Sequence, residues 1–128
     1  MNVVIDTGVV VSAFFFGGLP RQIIETVAGG KLAAYATQEI VEEYEAVIAE
    51  LGTKKGGALR ENLVLPFTSR LHIVAPEPDG DKFVSCALKA GAVYVVEGGE
   101  DLSAMGQGRR VKIITVEGIC QILDLYAL

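Results

Sequence analysis

Short runs of β-branched and apolar residues alternate with longer segments of helical periodicity, and this alternation restricts the fold more than any other feature of the chain. Apolar residues in the longer segments recur at the spacing of an amphipathic helix. Strands that alternate with helices form a parallel sheet, which the helices cover on both faces. The sequence therefore predicts an α/β fold, a three-layer α/β/α sandwich with a central, mostly parallel sheet of about five strands. The predicted strands are residues 2–5, 32–36, 71–74, 94–96 and 111–114.

Capping and breaking residues predict where the helices begin and end. Thr37 and Thr115 are typical N-cap residues, and Gly91 is placed to end a helix. The polar segment 52–57 predicts a turn, and Pro66 predicts a kink or an end in the segment before the third strand. The predicted helices cover residues 21–28, 37–51, 58–68, 81–90, 102–105 and a last segment after Thr115.

Length and composition indicate a single folded domain over residues 1–128. Hydrophobic residues make up 51% of the chain and charged residues 21%, which excludes a disordered or collagen-like chain. The two cysteines, Cys86 and Cys120, are too few for a disulfide scaffold and lack the spacing of a zinc site, so we expect both to be buried. A reducing cytoplasm fits this cysteine usage best.

Neither a membrane-spanning nor a targeting segment is predicted. The longest apolar stretch, from Gly8 to Leu19, is interrupted by Ser12 and Gly17-Gly18 and is shorter than a membrane span. The net charge of −5 argues against broad, sequence-independent coating of nucleic acid, which needs a basic face. It does not exclude a nuclease, because carboxylates that hold metal ions also make a chain acidic.

Acidic side chains follow three of the predicted strands at the point where each strand ends. Ligands of parallel sheets bind at this edge, so we expect these acids to converge there. Glu43, in the helix after the second strand, could reach the same edge. Carboxylates gathered without balancing lysines favour a hard divalent cation such as Mg²⁺ or Mn²⁺, and two such ions would suit the hydrolysis of a phosphodiester. The acids at the strand ends are Asp6, Asp79, Asp81, Glu97, Glu100 and Asp101.

Four segments in a fixed order carry a resemblance to a known family. Residues 6–13 read Asp-Thr-Gly-Val-Val-Val-Ser-Ala, and residues 39–44 read Glu-Ile-Val-Glu-Glu-Tyr. Residues 78–83 read Pro-Asp-Gly-Asp-Lys-Phe, and residues 97–102 read Glu-Gly-Gly-Glu-Asp-Leu. In this order and spacing they resemble the four motifs of the PIN domain family. The most similar subgroup comprises the toxin components of bacterial and archaeal toxin–antitoxin pairs.

The resemblance implies an Mg²⁺- or Mn²⁺-dependent ribonuclease with an RNA substrate, often a dimer that a cognate antitoxin inhibits. Asp6, Glu43 and Asp101 match the acidic positions of the motifs and would be metal ligands or the catalytic base. Asp81 and Asp79 would act as further ligands near the third motif.

Glycine stands at three places where the motifs have polar or acidic residues, namely Gly8, Gly80 and Gly99. Each lost carboxylate removes a hard ligand, so the resemblance implies weakened activity. The alternative is a catalytically inactive module of the same fold that binds RNA or a protein partner. A nucleotide-binding function has no support, because no glycine-rich phosphate-binding loop is present.

Each candidate residue also has a structural interpretation. Asp6 and Asp101 are placed to cap helices, Asp79 and Asp81 lie in a plain turn, and Glu43 belongs to a glutamate-rich helix face. The hydroxyls of Thr7 and Ser12 would contact phosphate, water or Asp6, or else satisfy local backbone groups.

Three consecutive aromatic residues, Phe14-Phe15-Phe16, spread too widely around a helix for one core to bury them all. We therefore expect a contact there with a second copy of the chain or with an antitoxin. The basic residues are scattered, and we expect solvated surface charges, although some would be placed to hold an RNA backbone. They are Arg21, Lys54, Lys55, Arg60, Arg70, Lys82, Arg109 and Arg110.

Overall fold

Five strands form a single parallel sheet, as the alternation predicts. The computed structural model describes residues 1–55, 59–76, 80–97 and 111–125. The sheet has the order β3-β2-β1-β4-β5, and each neighbouring pair is parallel. β1 therefore lies in the middle of the sheet. The strands are β1 (Asn2–Ile5), β2 (Ala33–Ala36), β3 (His72–Ile73), β4 (Tyr94–Glu97) and β5 (Lys112–Thr115).

Helices cover both faces of the sheet. The chain moves from β1 through β2 to β3 in one direction and returns to β4, so right-handed crossovers place α1, α2 and α3 on one face and α5 on the other. In agreement, α1 packs against α2 and α3, whereas α5 packs against β1, β2 and β4. The predicted three-layer sandwich is confirmed. The helices are α1 (Thr7–Phe15), α2 (Gly18–Ala28), α3 (Gln38–Lys55), α4 (Val64–Thr68), α5 (Lys82–Ala90) and α6 (Val116–Leu123), with a 3₁₀ turn at Glu61–Leu63.

Three predicted helix boundaries are confirmed by their hydrogen bonds. The Thr37 hydroxyl accepts from the Ile40 amide at 3.2 Å, at the start of α3. The Thr115 hydroxyl accepts from the Gly118 amide at 3.0 Å and caps α6. Gly91 ends α5 in the left-handed conformation, with φ of 66°.

Two predicted breaks are wrong. The sequence predicts a turn at residues 52–57, but α3 continues through Lys55. Pro66 does not end a helix, because it lies within the first turn of α4. The amides of a first turn have no partner inside the helix, so a proline there removes no helical hydrogen bond. The predicted helix 102–105 lies outside the described residues.

The interior is an aliphatic layer with a small group of buried rings. Phe14, Tyr44 and Phe67 are fully buried, and the Phe67 ring centroid lies 6.0 Å from each of the other two centroids. Phe15 is buried as well, whereas Phe16 is 69% exposed. The prediction that one core cannot hold all three consecutive aromatics is therefore confirmed.

Both cysteines are buried and are not joined in a disulfide, as expected. Burial raises the pKa of the Cys86 thiol to about 11, against a small opposing effect of a backbone hydrogen bond with Thr37. Burial also raises the pKa of Cys120. Both side chains are therefore neutral thiols at physiological pH and act as small hydrophobic residues.

No single helix in the described parts of the chain is long and apolar enough to cross a membrane. Helices α1 and α2 reach the required length and hydropathy only as a pair, and the chain bends by 101° between them.

Candidate active site

A cleft of about 390 Å³ lies at the carboxyl end of β1, where the sequence predicts a site. Three segments distant in sequence form its walls: the β1–α1 junction, the first part of α3 and the start of α5. Ligands of parallel sheets bind at this edge. The residues that line the cleft are Asp6, Thr7, Gly8, Glu43, Asp81, Lys82 and Phe83.

Asp6 connects the central strand to the first helix. Its backbone amide donates to the Val96 carbonyl at 3.0 Å, which fixes it beside the end of β4. Its Oδ1 atom accepts from the Val9 amide at 3.0 Å and caps α1. The side chain is nearly buried, with 4% exposure, and still lines the cleft. Asp6 thus has both positions that the sequence suggests, a helix cap and a cleft carboxylate.

Glu43 reaches the cleft from α3 and is held there by two donors. The Lys82 ammonium donates to Oε1 in an ion pair, and the Thr7 hydroxyl donates to Oε2. Partial burial alone would raise the pKa of Glu43, but the hydrogen bonds from Lys82 and Thr7 and the charge of Lys82 lower it below the usual value of 4.5. Glu43 is therefore ionised at neutral pH and fixed in position.

The lowered pKa of Glu43 predicts how stability depends on pH. A carboxyl whose pKa is lower in the folded state stabilises the fold above its unfolded pKa, and this stabilisation is lost as the pH falls through the folded value. The usual pKa of a glutamate carboxyl is 4.5. As the pH falls below this value, we expect the free energy of unfolding to fall more steeply for the wild type than for Glu43→Gln. The difference should be about a few tenths of a kcal/mol, because the pair is partly exposed. Urea unfolding at a series of pH values measures it, and equal pH slopes in the two proteins would contradict it.

Lys82 makes a cleft contact that the sequence does not predict, because a basic residue at this position is expected to be a solvated surface charge or to hold an RNA backbone. It is the first residue of α5, and its Nζ atom lies 5.5 Å from the centroid of the Phe83 ring. The hydrogen bond to Glu43 raises the pKa of Lys82 above its usual value, while partial burial lowers it and the charges of Glu43, Glu39 and Asp81 raise it further. One signal is present in the sequence: Lys82 precedes Phe83 in the third motif, as a lysine does in the family pattern.

Asp81 lines the cleft and caps α5 at the same time. Its Oδ1 atom accepts from the Phe83 amide at 2.9 Å and the Val84 amide at 3.1 Å. The preceding Gly80 has φ of 80°, a left-handed conformation that side chains other than glycine rarely adopt. Glycine at this acidic position of the motif is therefore explained by the turn that leads into α5.

Tyr44 connects α3 to β1 through a buried hydrogen bond. Its phenol is fully buried and donates to the Ile5 carbonyl, across 39 positions of sequence. Burial raises the pKa of Tyr44 well above 10, so the phenol remains a donor. Tyr44 follows Glu43 directly, and Ile5 precedes Asp6. The bond therefore ties the helix that carries Glu43 to the end of the strand that leads into Asp6.

Some predicted site residues are not in this cleft. Thr7 contacts Glu43, but Ser12 lines a separate cleft of about 480 Å³ beside Glu97 and Thr115. Several other residues that the sequence singles out lie outside the described residues. They are Asp79, Gly99, Glu100, Asp101, Arg109 and Arg110.

The donor chemistry of the cleft fits a hard divalent cation, since Asp6, Glu43 and Asp81 supply carboxylate oxygens. Their arrangement is not by itself a metal centre. Within residues 1–55, 59–76, 80–97 and 111–125, no three or more acidic, histidine or cysteine side chains form a group that could hold a metal ion. Asp6 and Asp81 cap helices, and Lys82 is paired with Glu43.

Comparison with known proteins identifies the family. No curated protein matches the chain. A model of the PIN domain family matches residues 2–98, a region that contains β1 to β4 and every described residue of the cleft. The match covers well over half of the 128 residues, and the chain therefore belongs to the PIN domain family.

Proposed function

We propose that this protein is a ribonuclease of the toxin–antitoxin type, acting in the cytoplasm, which hydrolyses RNA phosphodiesters with Mg²⁺ or Mn²⁺ and does so slowly. Membership of the PIN domain family supports nuclease-type chemistry, because PIN domains are generally nucleases. The observation that carries the proposal is the convergence of Asp6, Glu43 and Asp81, from three separate segments, on one cleft at the carboxyl end of β1.

The charge of the cleft explains why a divalent cation is part of the proposal. Asp6, Glu43 and Asp81 contribute three negative charges against the single positive charge of Lys82 among the described lining residues. A phosphodiester would be repelled by this net negative charge unless a cation entered with it. We propose that Asp6, Glu43 and Asp101 hold the ion, with Asp81 or Asp79 as a further ligand.

The residues of the chain have distinct parts in the proposed hydrolysis. A divalent cation held by these carboxylates would lower the pKa of a bound water and supply positive charge to the phosphodiester. Glu43, held by Thr7 and ionised at neutral pH, would be either a ligand of that ion or the base that takes the proton of the attacking water. Asp6, fixed by the Val9 amide, keeps its carboxylate at the end of β1.

Slow turnover follows from the same cleft. Gly80 stands where the third motif has an acid, and its backbone conformation disfavours a replacement. Asp81 is a weaker ligand than an acid with no other contact, because its Oδ1 atom already accepts from two backbone amides of α5. Fewer hard ligands give weaker metal binding and lower turnover.

The toxin–antitoxin role rests on the resemblance of the four motifs to that subgroup. The exposed ring of Phe16, at the end of α1, is the feature that we propose for contact with an antitoxin or with a second copy of the chain. Such a contact would be favourable because it would remove the apolar surface of the ring from water.

RNA cleavage by the purified protein should depend on a divalent cation. Incubation of a labelled RNA with the chain should give slow cleavage in millimolar Mn²⁺ or Mg²⁺ and none after chelation, because the cleft alone repels a phosphodiester. Gel analysis of the products over time measures the rate. Readdition of Mn²⁺ to the chelated sample is the control and should restore cleavage.

The alternative, a PIN-fold module that binds RNA or a protein without cutting RNA, is favoured by one observation. The Lys82–Glu43 pair neutralises the carboxylate that the second motif contributes. RNA that stays intact at every metal concentration, with a folded protein, would contradict the nuclease proposal and support this alternative.

A further inference from the structure

Lys82 lines the cleft and places a positive charge against one of its carboxylates. Its ammonium is paired with Glu43, the one cleft carboxylate among the described residues that caps no helix. The charges of Glu39 and Asp81 also raise the pKa of Lys82, to a smaller extent than Glu43 does. A single positive side chain thus offsets part of the negative charge of the cleft.

The position of Lys82 is fixed by its surroundings. It is the first residue of α5, so its backbone is set by the Asp81 cap that precedes it. Its Nζ atom lies 5.5 Å from the Phe83 ring centroid, within the range of a cation–π contact. About a third of the Lys82 side chain is exposed, with 35% accessibility, so the ammonium has a path from Glu43 to solvent. The pair can therefore open without unfolding of the helix.

From this geometry we propose that Lys82 is a built-in counter-ion that competes with a divalent cation for Glu43. The proposal rests on the proposed function in that it takes the same cleft to be the metal site. In the metal-free protein Glu43 is neutralised by Lys82, and an entering ion must displace the ammonium before it gains the Glu43 oxygen. The competition lowers metal affinity, so Lys82 sets the cation concentration at which the cleft fills.

Substitution of Lys82 by methionine tests the proposal directly. Lys82→Met keeps most of the length and the apolar stem of the side chain and removes the charge. We expect the dissociation constant for Mn²⁺ to fall about tenfold relative to the wild type, since both the competing ion pair and a nearby positive charge are lost. Electron paramagnetic resonance of free aqueous Mn²⁺ during a titration measures this constant without any RNA or turnover.

Two variants serve as matched controls. Lys54→Met removes another lysine–glutamate pair, the exposed one with Glu50 on α3, and should leave the Mn²⁺ affinity at the wild-type value. Lys82→Arg keeps the positive charge and should also remain close to the wild type. Circular dichroism of each variant establishes that it is folded.

The outcomes separate this inference from the proposed function. Tighter Mn²⁺ binding by Lys82→Met than by the wild type supports the inference. This holds even when the wild type shows no measurable Mn²⁺ binding. Equal or weaker binding by Lys82→Met overturns it, while a metal-dependent cleavage of RNA would leave the proposed function standing. Absence of Mn²⁺ binding in both proteins overturns the inference and the metal dependence together.

Discussion

Replacement of Asp6 by asparagine should abolish RNA cleavage without loss of the fold. Asparagine has the same shape and caps helices as well as aspartate does, so the bond from the Val9 amide is preserved. The negative charge at the end of β1 is lost, and with it a ligand of the proposed metal site. We expect the cleavage rate to fall on the order of 100-fold or more. Initial rates with labelled RNA and saturating Mn²⁺ measure the change.

Glu50 on α3 provides a control for the loss of a negative charge. Glu50→Gln removes an exposed charge on α3 that is paired with Lys54, away from the cleft, and should leave the cleavage rate unchanged. Urea unfolding should show Asp6→Asn within about 1 kcal/mol of the wild type. If Asp6→Asn cleaves RNA as fast as the wild type, the activity comes from a contaminant or from another site.

The same variant tests the proposed toxin role in cells. Induced expression of the wild-type chain in a bacterium should slow growth, and Asp6→Asn at the same protein level should not. Growth arrest by both proteins would mean that the toxicity does not depend on RNA cleavage at this cleft.

Removal of the Phe67 ring should destabilise the fold far more than any substitution in the cleft. Phe67 is fully buried and lies edge-on to Phe14 and tilted against Tyr44, with centroids 6.0 Å apart in each case. Phe67→Ala removes these contacts and leaves a cavity, so the free energy of unfolding should fall by about 3–5 kcal/mol. This is a large part of the roughly 5–15 kcal/mol that is ordinary for a domain.

Leu65 on the same short helix is the matched control, because its side chain is 72% exposed. Leu65→Ala should change the free energy of unfolding by less than about 0.5 kcal/mol. Urea denaturation followed by circular dichroism measures both variants. A loss below about 1 kcal/mol for Phe67→Ala would mean that the packing of Phe67 against Phe14 and Tyr44 contributes little to the stability of the core.

The sheet could be predicted from the sequence because its signals are local. A buried strand such as β1 is a short β-branched run that ends at a polar residue, and the caps at Thr37 and Thr115 are recognisable without any knowledge of the fold. The end of α3 could not be predicted, because glycine and threonine at 52–53 favour a turn locally. The helix nevertheless continues there, where Leu59 lies 3.6 Å from the position that a Gly52 side chain would take.

The site was predictable only in part. Residues placed by the end of a strand could be predicted, whereas contacts between segments distant in sequence could not. Asp6 follows from the rule that ligands bind at the carboxyl ends of parallel strands, which needs only the strand boundaries. The partner of Glu43 does not follow from any such rule. Lys82 is 39 positions away, and only the sheet, which brings the start of α5 and the first part of α3 to the same cleft, brings its ammonium to the glutamate. A lysine at a helix start gives the same sequence signal whether it is solvated or paired.

The bond from Tyr44 to the Ile5 carbonyl has a consequence for how any ion would bind. Glu43 and Asp6 each lie next to one end of this bond, so their separation is established when the chain folds. An ion held by the proposed site would therefore meet a preorganised pair and would lose little affinity to reorganisation of the backbone.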